Sequence, residues 1–240
     1  YKNMTKLSVN INKVATIRNA RGNNVPNLLK VALDIEKFGA DGITVHPRPD
    51  ERHIRYADVS ELAQNIQTEF NVEGYPNKRF MDLVLSTKPH QVTLVPDPPG
   101  VLTSNAGWKV KENKSLLEES LGELSKAGIR TSVFMEANTK DIEQLALIQV
   151  DRAELYTESY ASGYSSDKEE AIRPFMEAAK LTSEMGIGLN AGHDLNVENL
   201  AFFASSIPNL LEVSIGHALV ADALYFGFEK TIAMYKNLLK

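Results

Sequence analysis

The sequence has no cysteine among its 240 residues. Without cysteine the chain can form no disulfide bond, no thiolate metal site and no cysteine nucleophile. Long apolar runs are missing as well, because no segment approaches the about 18 consecutive apolar residues that identify a membrane-spanning helix. The N-terminal segment also lacks the apolar stretch of a secretory signal. We therefore expect a cytoplasmic protein with no membrane partner, in which residues 1–6 are flexible or partly foreign to the natural chain.

An excess of positive charge is absent too. The chain carries 26 Lys and Arg against 31 Asp and Glu, so its formal net charge is −5. Nucleic acid is not an expected partner, because surfaces that bind it are usually basic. Phosphorylated small molecules remain possible ligands, since a few arginines or one helix N-terminus can hold a phosphate. The motifs GxGxxG, GxxxxGKS/T, HExxH and GxSxG do not occur, so we expect no nucleotide, no cofactor and no metal.

Short β-branched runs alternate with longer segments of helical period along the whole chain. Strands are predicted at 7–12, 42–46, 70–73, 91–95, 129–134, 152–156, 187–191 and 211–215. Helices are predicted at 26–38, 57–68, 78–86, 111–127, 139–148, 168–185, 196–204 and 218–238. Alternation of this kind indicates right-handed βαβ units and a parallel sheet, and eight such units in about 250 residues are typical of a closed barrel. The pattern predicts an α/β fold with a single domain over residues 1–240, a (β/α)8 TIM barrel; the alternative is a Rossmann-like open sheet with a miscounted strand.

Two segments rich in Gly, Pro, Ser and Asn interrupt this alternation, at 96–109 and 157–167. Both follow predicted strands, so both are expected to be loops on the face where the carboxyl ends of the strands meet. That face carries the active site of TIM barrels. We expect these extra loop elements to border a functional site, and residues 96–109 to form a lid.

Four of the five histidines end or follow predicted strands on that same face. These are His46, His53, His193 and His217. Glu73 ends the third predicted strand, and the two-residue period of the sixth strand can point Glu154 into the barrel. Buried carboxyls acquire raised pKa values, and imidazoles titrate near neutral pH, so the set predicts general acid–base chemistry. Each residue alone is also compatible with a structural role, such as a salt bridge for Glu154.

Phosphate recognition is expected at two places on the same face. Arg48 lies two residues after His46, and a guanidinium can donate two parallel hydrogen bonds to a phosphate. Gly216 and His217 link the last strand to a helix, where TIM barrels commonly hold phosphate. The remaining arginines near these segments, Arg18, Arg52 and Arg55, are interpreted as solvated surface charges.

Five segments carry a family resemblance. They are NINKVATIRNARG (10–22), GADGITVHPRPDERHI (39–54), LVPD (94–97), NAGHDL (190–195) and SIGHAL (214–219). Together they resemble the pyridoxine 5′-phosphate synthase family, and the similarity runs from Leu7 to Lys240. The resemblance implies a TIM barrel that forms a homo-oligomer, an octamer, and uses no cofactor. It also implies a transferase-type, ring-closing condensation of 1-deoxy-D-xylulose 5-phosphate with 3-amino-2-oxopropyl phosphate, which yields pyridoxine 5′-phosphate, phosphate and water.

By the same resemblance, individual positions take family roles. Acid–base roles fall to His46, Glu73 and His193, and a transition-state-stabilising role falls to Glu154. Contacts to the deoxyxylulose phosphate fall to Arg48, His53 and Thr103. Contacts to the aminoketone phosphate fall to Asn10, Arg21, Gly216 and His217.

The chain departs from the family pattern at three places. Asn12 and Lys13 replace an Asp-His pair, Asp194 replaces a glycine, and Leu155-Tyr156-Thr157-Glu158 replaces Ile-His-Thr-Gly. We keep Asn12, Lys13 and Asp194 as candidate substrate-binding residues, and we expect Lys13 to pair with Glu158 or to neutralise a substrate phosphate. Two alternatives stay open: another phosphosugar isomerase or aldolase barrel, and an inactive barrel that only binds a phosphorylated ligand.

Overall fold

In the residues that the computed structural model describes, 4–97 and 106–240, eight parallel strands close into a barrel in chain order. The strands are β1 (Lys6–Asn10), β2 (Gly42–Val45), β3 (Glu69–Gly74), β4 (Gln91–Leu94), β5 (Arg130–Met135), β6 (Arg152–Tyr156), β7 (Gly188–Gly192) and β8 (Leu210–Ile215). Parallel pairing of β8 with β1 closes the ring. The predicted TIM barrel is therefore confirmed, and the Rossmann-like open sheet is excluded.

The helices form a layer around this barrel. They are α1 (Asn12–Asn19), α2 (Leu28–Lys37), α3 (Tyr56–Asn65), α4 (Lys78–Thr87), α5 (Lys114–Lys126), α6 (Thr139–Glu143), α7 (Glu158–Glu184), α8 (Leu200–Ser206), α9 (His217–Phe226) and α10 (Phe228–Leu238), with a 3₁₀ turn at Gln144–Leu147. Their apolar faces cover strand side chains such as Val9, Ile43 and Val72, which are fully buried. The main hydrophobic core therefore lies between the helices and the sheet. None of the helices in the described ranges is both long and apolar enough to cross a membrane.

The interior of the barrel, which we call the lumen, is polar. The hydroxyls of Ser8 and Thr44 are 2.7 Å apart, and the Asn71 amide donates to the Thr44 hydroxyl at 3.4 Å. The Thr93 hydroxyl lies 3.1 Å from the Asn71 side-chain oxygen and 3.4 Å from a carboxyl oxygen of Glu154. Because β4 and β6 are not neighbours in the sheet, the contact between Thr93 and Glu154 crosses the lumen. TIM barrels usually fill this space with branched apolar side chains, so the polar lumen of this chain departs from the usual pattern.

A helix that the sequence analysis did not predict follows β1 directly. The first strand was predicted at 7–12, but it ends at Asn10, and α1 begins at Asn12. The buried residues of α1 are Val14, Ala15 and Arg18, which share one face of a helix. Burial of this face stabilises a helix in a segment whose asparagines gave no clear helical signal.

The predicted loop at 157–167 is wrong, because α7 covers all of this segment except Thr157. Its backbone leaves the helical region only at Asp167, where φ is −156° and ψ is 94°. The buried ring of Tyr160 packs against Phe175 and Phe203, at ring-centroid distances of 6.0 and 5.0 Å. This aromatic packing outweighs the weak helix propensity of the Ser- and Gly-rich segment. The Asp167 carboxylate then accepts a hydrogen bond from the backbone N–H three residues later, so the helix restarts where the sequence predicted a helix to begin.

Two further predictions differ from the structure at the chain ends. The predicted helix 218–238 is two helices, because Gly227 adopts φ 76° and ψ 155° between α9 and α10. Such a positive φ is readily accessible only to glycine. Of the stretch 1–6, Lys6 begins β1, and the buried Thr5 donates its hydroxyl to the Leu210 carbonyl at 3.0 Å. Residues 1–3 lie outside the described residues.

Arg18 is buried, and its interpretation as a solvated surface charge is wrong. Only 2% of the residue is exposed, and its guanidinium donates to both carboxylate oxygens of Asp58 at 2.7 and 2.8 Å. It also donates to the backbone carbonyl of His53 at 3.1 Å. Asp58 in turn accepts from the Arg55 backbone N–H at 2.7 Å, at the start of α3. The ion pair therefore joins α1 to α3 and fixes the loop that follows β2.

Replacing Arg18 by Leu is expected to destabilise the protein by about 3–5 kcal/mol, because it leaves a buried carboxylate without its cation. Urea unfolding, followed by circular dichroism, measures the change in the free energy of unfolding. Lys30→Leu is the matched control, since Lys30 pairs with Asp34 at the surface of α2 and should contribute less than about 0.5 kcal/mol. A loss below about 1 kcal/mol for Arg18→Leu would contradict the role given to this buried pair.

Candidate active site

The carboxyl ends of β2 and β3 bring together His46 and Glu73, two of the residues expected to do acid–base chemistry. His46 directly follows β2, and Glu73 is the residue before the last in β3. Nδ1 of His46 lies 3.8 Å from Oε2 of Glu73, which is longer than a direct hydrogen bond. The side-chain oxygen of Asn12 accepts from the His46 backbone N–H at 2.9 Å. The start of α1 therefore fixes the backbone of His46 at the end of β2.

Burial favours the neutral forms of both groups. Burial, followed by the nearby Arg48 guanidinium, moves the pKa of His46 well below its ordinary value. Burial raises the pKa of Glu73, although the charge of Arg48 opposes the rise. The favoured state near neutral pH is thus a neutral imidazole beside a protonated carboxyl. Such a pair can accept a proton at one position and donate one at the other.

Glu154, on β6, lies in the lumen with its carboxyl fully buried. A Cβ atom placed on Gly192 would lie 2.4 Å from a carboxyl oxygen of Glu154, so glycine at this position lets the carboxyl approach β7. Burial raises the pKa of Glu154, and the negative charge of Glu73 raises it further. The two carboxyls therefore influence each other and do not readily ionise together.

Glu212, on β8, is a third buried carboxyl, and the sequence analysis missed it. Only 2% of the residue is exposed. Its Oε1 accepts from the Asn190 amide at 3.5 Å, and the Asn190 side-chain oxygen accepts from Arg152 at 3.1 Å. Burial raises the pKa of Glu212 to about 7 against the opposing charge of Arg152. We call Glu73, Glu154 and Glu212 the carboxyl series.

His193 follows β7 and is partly open to solvent, with 39% of its side chain exposed. Its Nδ1 lies 2.7 Å from Oδ2 of Asp194, and its ring meets that of Tyr156 edge-on with the centroids 5.0 Å apart. His193 and Asp194 have φ values of 80° and 51°, which are uncommon for residues with a side chain. The Asp194 carboxylate, predicted to contact substrate, is thus engaged with the neighbouring imidazole.

Arg48 and His53 lie on the His46 side of the site, as expected for a phosphate site. Arg48 is buried and donates to the Asp97 carboxylate at 3.2 Å. The ring centroids of His53 and His46 are 6.4 Å apart, and Nδ1 of His53 accepts from the Ile54 backbone N–H at 2.9 Å. Burial, followed by the charge of Arg48, lowers the pKa of His53 to about 4. The His53 ring is therefore neutral near pH 7, with its proton on Nε2 as a hydrogen-bond donor.

The ends of β1 and β8 meet where the second phosphate site was predicted. A Cβ atom on Gly216 would lie 3.1 Å from the Cβ of Asn10, so the two strand ends are in close contact. The Asn10 side-chain oxygen accepts from the backbone N–H of Asn12 at 3.0 Å. α9 begins at His217, and no side chain of the described residues caps it. Its first backbone N–H groups are therefore available to an anion.

Two candidate substrate-binding residues, Arg21 and Lys13, do not converge with this set. Arg21 is exposed in the turn after α1. Lys13 is exposed on the first turn of α1, close enough for its charge to help lower the pKa of His53. Its expected ion pair with Glu158 is not observed among the described residues, where Glu158 accepts instead from the Ser162 hydroxyl at 2.5 Å. Thr103, together with residues 98–105 of the expected lid 96–109, lies outside the described residues.

Only some of the site residues that the sequence analysis missed could have been recognised from the sequence pattern. Thr93 and Glu212 occupy positions where polar and apolar residues alternate along a strand, as in Gln91-Val92-Thr93-Leu94. A strand buried on both faces is usually a nearly continuous apolar run, so this alternation indicates a polar lumen. Asp97 belongs to the LVPD segment and Tyr156 to the segment that departs from the family pattern, but neither was given a role at the site.

No group of three or more His, Asp or Glu side chains is placed to hold a metal ion in the described parts of the chain. The expectation that the protein uses no metal and no cofactor stays a prediction.

A closed parallel barrel with acid–base side chains at the carboxyl ends of its strands defines a TIM-barrel enzyme. A family model described as pyridoxal phosphate biosynthesis protein PdxJ matches residues 7–240, and the chain belongs to this family. A pyridoxine 5′-phosphate synthase from Bacteroides fragilis (strain YCH46) is 63% identical, with 99% of this chain and 100% of the relative covered. One from Bacteroides thetaiotaomicron is 62% identical with the same coverage. The family resemblance of the five sequence segments is therefore confirmed.

Solved structures with little sequence similarity share the fold. A Mycobacterium tuberculosis tryptophan synthase chain superposes with a TM-score of 0.66 at 12% identity, covering 99% of this chain and 93% of that one. A phosphoribosyl anthranilate isomerase from Thermotoga maritima gives a TM-score of 0.60 at 15% identity, with 98% of each chain covered. At this identity the likeness extends to the barrel fold alone.

Replacing Glu212 by Gln is expected to reduce the dependence of stability on pH. The folded-state pKa of Glu212 is about 7, whereas an unfolded Glu titrates near about 4.3. A raised folded-state pKa stabilises the fold fully below the unfolded pKa, and this contribution is lost as the pH rises through the folded pKa. Between about pH 5 and about pH 8, the free energy of unfolding should therefore fall more for the wild type than for the variant, measured by urea unfolding. Equal falls would contradict the raised pKa of Glu212.

Proposed function

We propose that this chain condenses 1-deoxy-D-xylulose 5-phosphate with 3-amino-2-oxopropyl phosphate to give pyridoxine 5′-phosphate, phosphate and water. Membership of the PdxJ family and the two synthase relatives at 62–63% identity support this reaction. The structural observation that carries the proposal is the buried pair of His46 and Glu73, 3.8 Å apart, whose neutral forms suit proton transfer.

The reaction asks for several proton transfers and for no redox step. The amine attacks a ketone and loses water to give an imine, phosphate then leaves, and an aldol-type closure with dehydration completes the aromatic ring. We assign base roles to His46 and Glu73, and acid work to the more exposed His193. Glu154, protonated in the lumen, is assigned to stabilise negative charge that develops in the transition state. Neutral His46 can accept a proton at neutral pH, whereas the raised pKa of Glu73, about 8, means that this carboxyl must lose its own proton before it acts as a base.

Two phosphorylated substrates require two anion sites. Arg48, with the Nε2–H donor of His53, is assigned to the deoxyxylulose phosphate, together with Thr103. Asn10, Gly216 and His217 are assigned to the aminoketone phosphate, where the N-terminus of α9 offers backbone N–H groups and a positive dipole. Arg21 keeps its predicted role at the second site. Lys13, exposed beside His53, is assigned to neutralise phosphate charge on the first side.

The two alternatives from the sequence make different predictions in one assay. Another phosphosugar isomerase or aldolase would convert a single phosphorylated substrate without forming a pyridine ring. An inactive barrel would bind both substrates and release nothing. The carboxyl series weighs against the inactive barrel, because burying three carboxyls without a catalytic need is unfavourable.

Glu73→Gln is expected to lower kcat by about 10²–10⁴-fold, because an amide of the same shape can neither accept nor deliver the proton. The assay mixes full-length protein with both substrates, without added metal or nucleotide, and follows pyridoxine 5′-phosphate and released phosphate together. Glu61→Gln, at an exposed position on α3, is the matched control and should leave kcat unchanged.

Three results would contradict parts of this proposal. Near-normal turnover by Glu73→Gln would remove Glu73 from the acid–base set. Turnover of one substrate alone by the wild type would favour the isomerase or aldolase. Folded wild-type protein that binds both substrates without forming product would favour the inactive barrel.

We further propose that the apolar surface at the end of α9 is an interface between copies of this chain. Leu224, Tyr225 and Phe226 are 73%, 86% and 47% exposed, which is unusual for three consecutive large apolar residues. A groove of about 490 Å³ adjoins them, lined in part by Val31 and Phe38 of α2 and its neighbouring turn. A second copy is the occupant that fits the expected homo-oligomer. The octameric state and the cytoplasmic location stay predictions.

Substituting both Leu224 and Tyr225 by Glu is expected to shift the protein to a smaller assembly, because charge placed in an apolar interface opposes its burial. Size-exclusion chromatography with light scattering measures the mass. Met176→Glu, at an isolated apolar residue of α7 that is 44% exposed, is the control and should keep the wild-type mass. An unchanged mass for the double variant, at folded circular dichroism, would place the interface elsewhere.

A further inference from the structure

The turn after β7 contains a histidine–aspartate pair built from adjacent residues. Nδ1 of His193 and Oδ2 of Asp194 are 2.7 Å apart, a distance typical of a strong hydrogen bond to a carboxylate. Adjacent residues rarely bring their side chains together in this way, and here both take a positive φ, 80° and 51°. The backbone conformation of the turn therefore sets up the contact between the two side chains.

This turn is held from two sides. On one side, the Thr157 hydroxyl contacts the carbonyl of Gly192 at 2.9 Å and that of His193. On the other, the Asn199 amide donates to the Asp194 carbonyl at 3.2 Å. A strained backbone persists only where its surroundings fix it, and such places are often functional. Edge-on packing of the Tyr156 ring, at 5.0 Å, then restricts how the imidazole can rotate.

We propose that Asp194 is a positioning residue that acts through His193, and that it does not bind substrate phosphate. Its carboxylate accepts the Nδ1–H of the imidazole, so neutral His193 presents the lone pair of Nε2 to the site and the protonated ring presents Nε2–H. A partner on one ring nitrogen fixes the tautomer and orientation of the whole ring. The proposal rests on the acid–base role given to His193 under the proposed function.

The charges around the pair agree with this arrangement. The hydrogen bond from His193 lowers the pKa of Asp194, so the carboxylate is ionised at neutral pH. From β6, Glu154 and Tyr156 face the imidazole, and from the start of α9 the charge of His217 also favours ionised Asp194. Glu158, at the start of α7, adds a further negative charge near Tyr156. A substrate phosphate placed against ionised Asp194 would meet repulsion, whereas an imidazole proton meets attraction.

Two variants test whether Asp194 orients His193 or is needed only for the positive φ of the turn. Asp194→Asn keeps the shape and tolerates a positive φ, but its amide is neutral and can also donate to Nδ1. Asp194→Gly removes the side chain and adopts this φ without strain. If the residue served only the turn, both variants would behave as wild type. Asp82→Asn is the control, since Asp82 is an exposed carboxylate of α4 that pairs with Lys78.

The first measurement is the tautomer of His193, read from the imidazole ¹⁵N chemical shifts of histidine-labelled, full-length protein at a pH where the ring is neutral. His193→Gln identifies its signals. We expect the wild type and Asp82→Asn to carry the proton on Nδ1, and both Asp194 variants to shift toward the Nε2–H form. The second measurement is turnover, where we expect kcat to fall about tenfold or more in both Asp194 variants, with KM for both substrates within about twofold.

The outcomes test the positioning role of Asp194 separately from the proposed function. An unchanged tautomer in both Asp194 variants overturns it, whatever the turnover. A changed tautomer with unchanged kcat also overturns it, because the orientation of the ring would then not matter to the reaction. A rise in KM for one substrate without a fall in kcat would restore Asp194 as a substrate contact. If the wild type makes no product, the proposed function fails, while the tautomer shift still tests the pairing of Asp194 with His193.

Discussion

Closure of the barrel around polar side chains is the constraint on which the rest of the structure depends. The ring of strands leaves no open edge, and the helices bury its outer face, so a carboxyl in the lumen is removed from bulk water. Removal from water disfavours charge, which raises the pKa of Glu73 and Glu154 and lowers that of His46. Protonation states suited to acid–base chemistry near neutral pH thus follow from where the fold places these side chains.

The same closure explains why contacts between successive strand ends recur around the site. Asn12, just after β1, accepts from the backbone of His46, just after β2. Thr157, just after β6, donates to the carbonyl of Gly192 at the end of β7. Each contact joins the ends of two neighbouring strands in the barrel. Residues at the site are therefore fixed by contacts with the adjacent strand end. Preorganisation of this kind keeps reacting groups in place without further ordering when substrate binds.

The sequence predicted the barrel and most of the strand-end residues, because both depend on local periodicity and on position along the chain. The sequence-based prediction was wrong where contacts with residues distant in the chain determine the local structure. The segment 157–167 is helical because Tyr160 packs against Phe175 and Phe203, and nothing within the segment announces that packing. Arg18 is buried because Asp58, forty residues away, receives it. Polar residues at alternate strand positions predict a polar lumen, but they are outnumbered by the apolar residues that identify the strands.

The three members of the carboxyl series differ in the groups that oppose the rise in their pKa. The rise in the pKa of Glu73 is opposed by Arg48 at the site, and that of Glu212 by Arg152 and Arg130 at the far end. The rise at Glu154 is opposed by the Thr93 hydroxyl and by His193, which is charged only when protonated. Arginine side chains therefore favour ionisation of the carboxyls at both ends of the series, whereas a hydroxyl and an imidazole favour it at Glu154. Burial raises the pKa of both Glu73 and Glu154 to about 8, so their proposed roles differ by position: Glu73 lies beside His46, whereas Glu154 lies in the lumen, where a neutral carboxyl can donate a hydrogen bond to a developing anion.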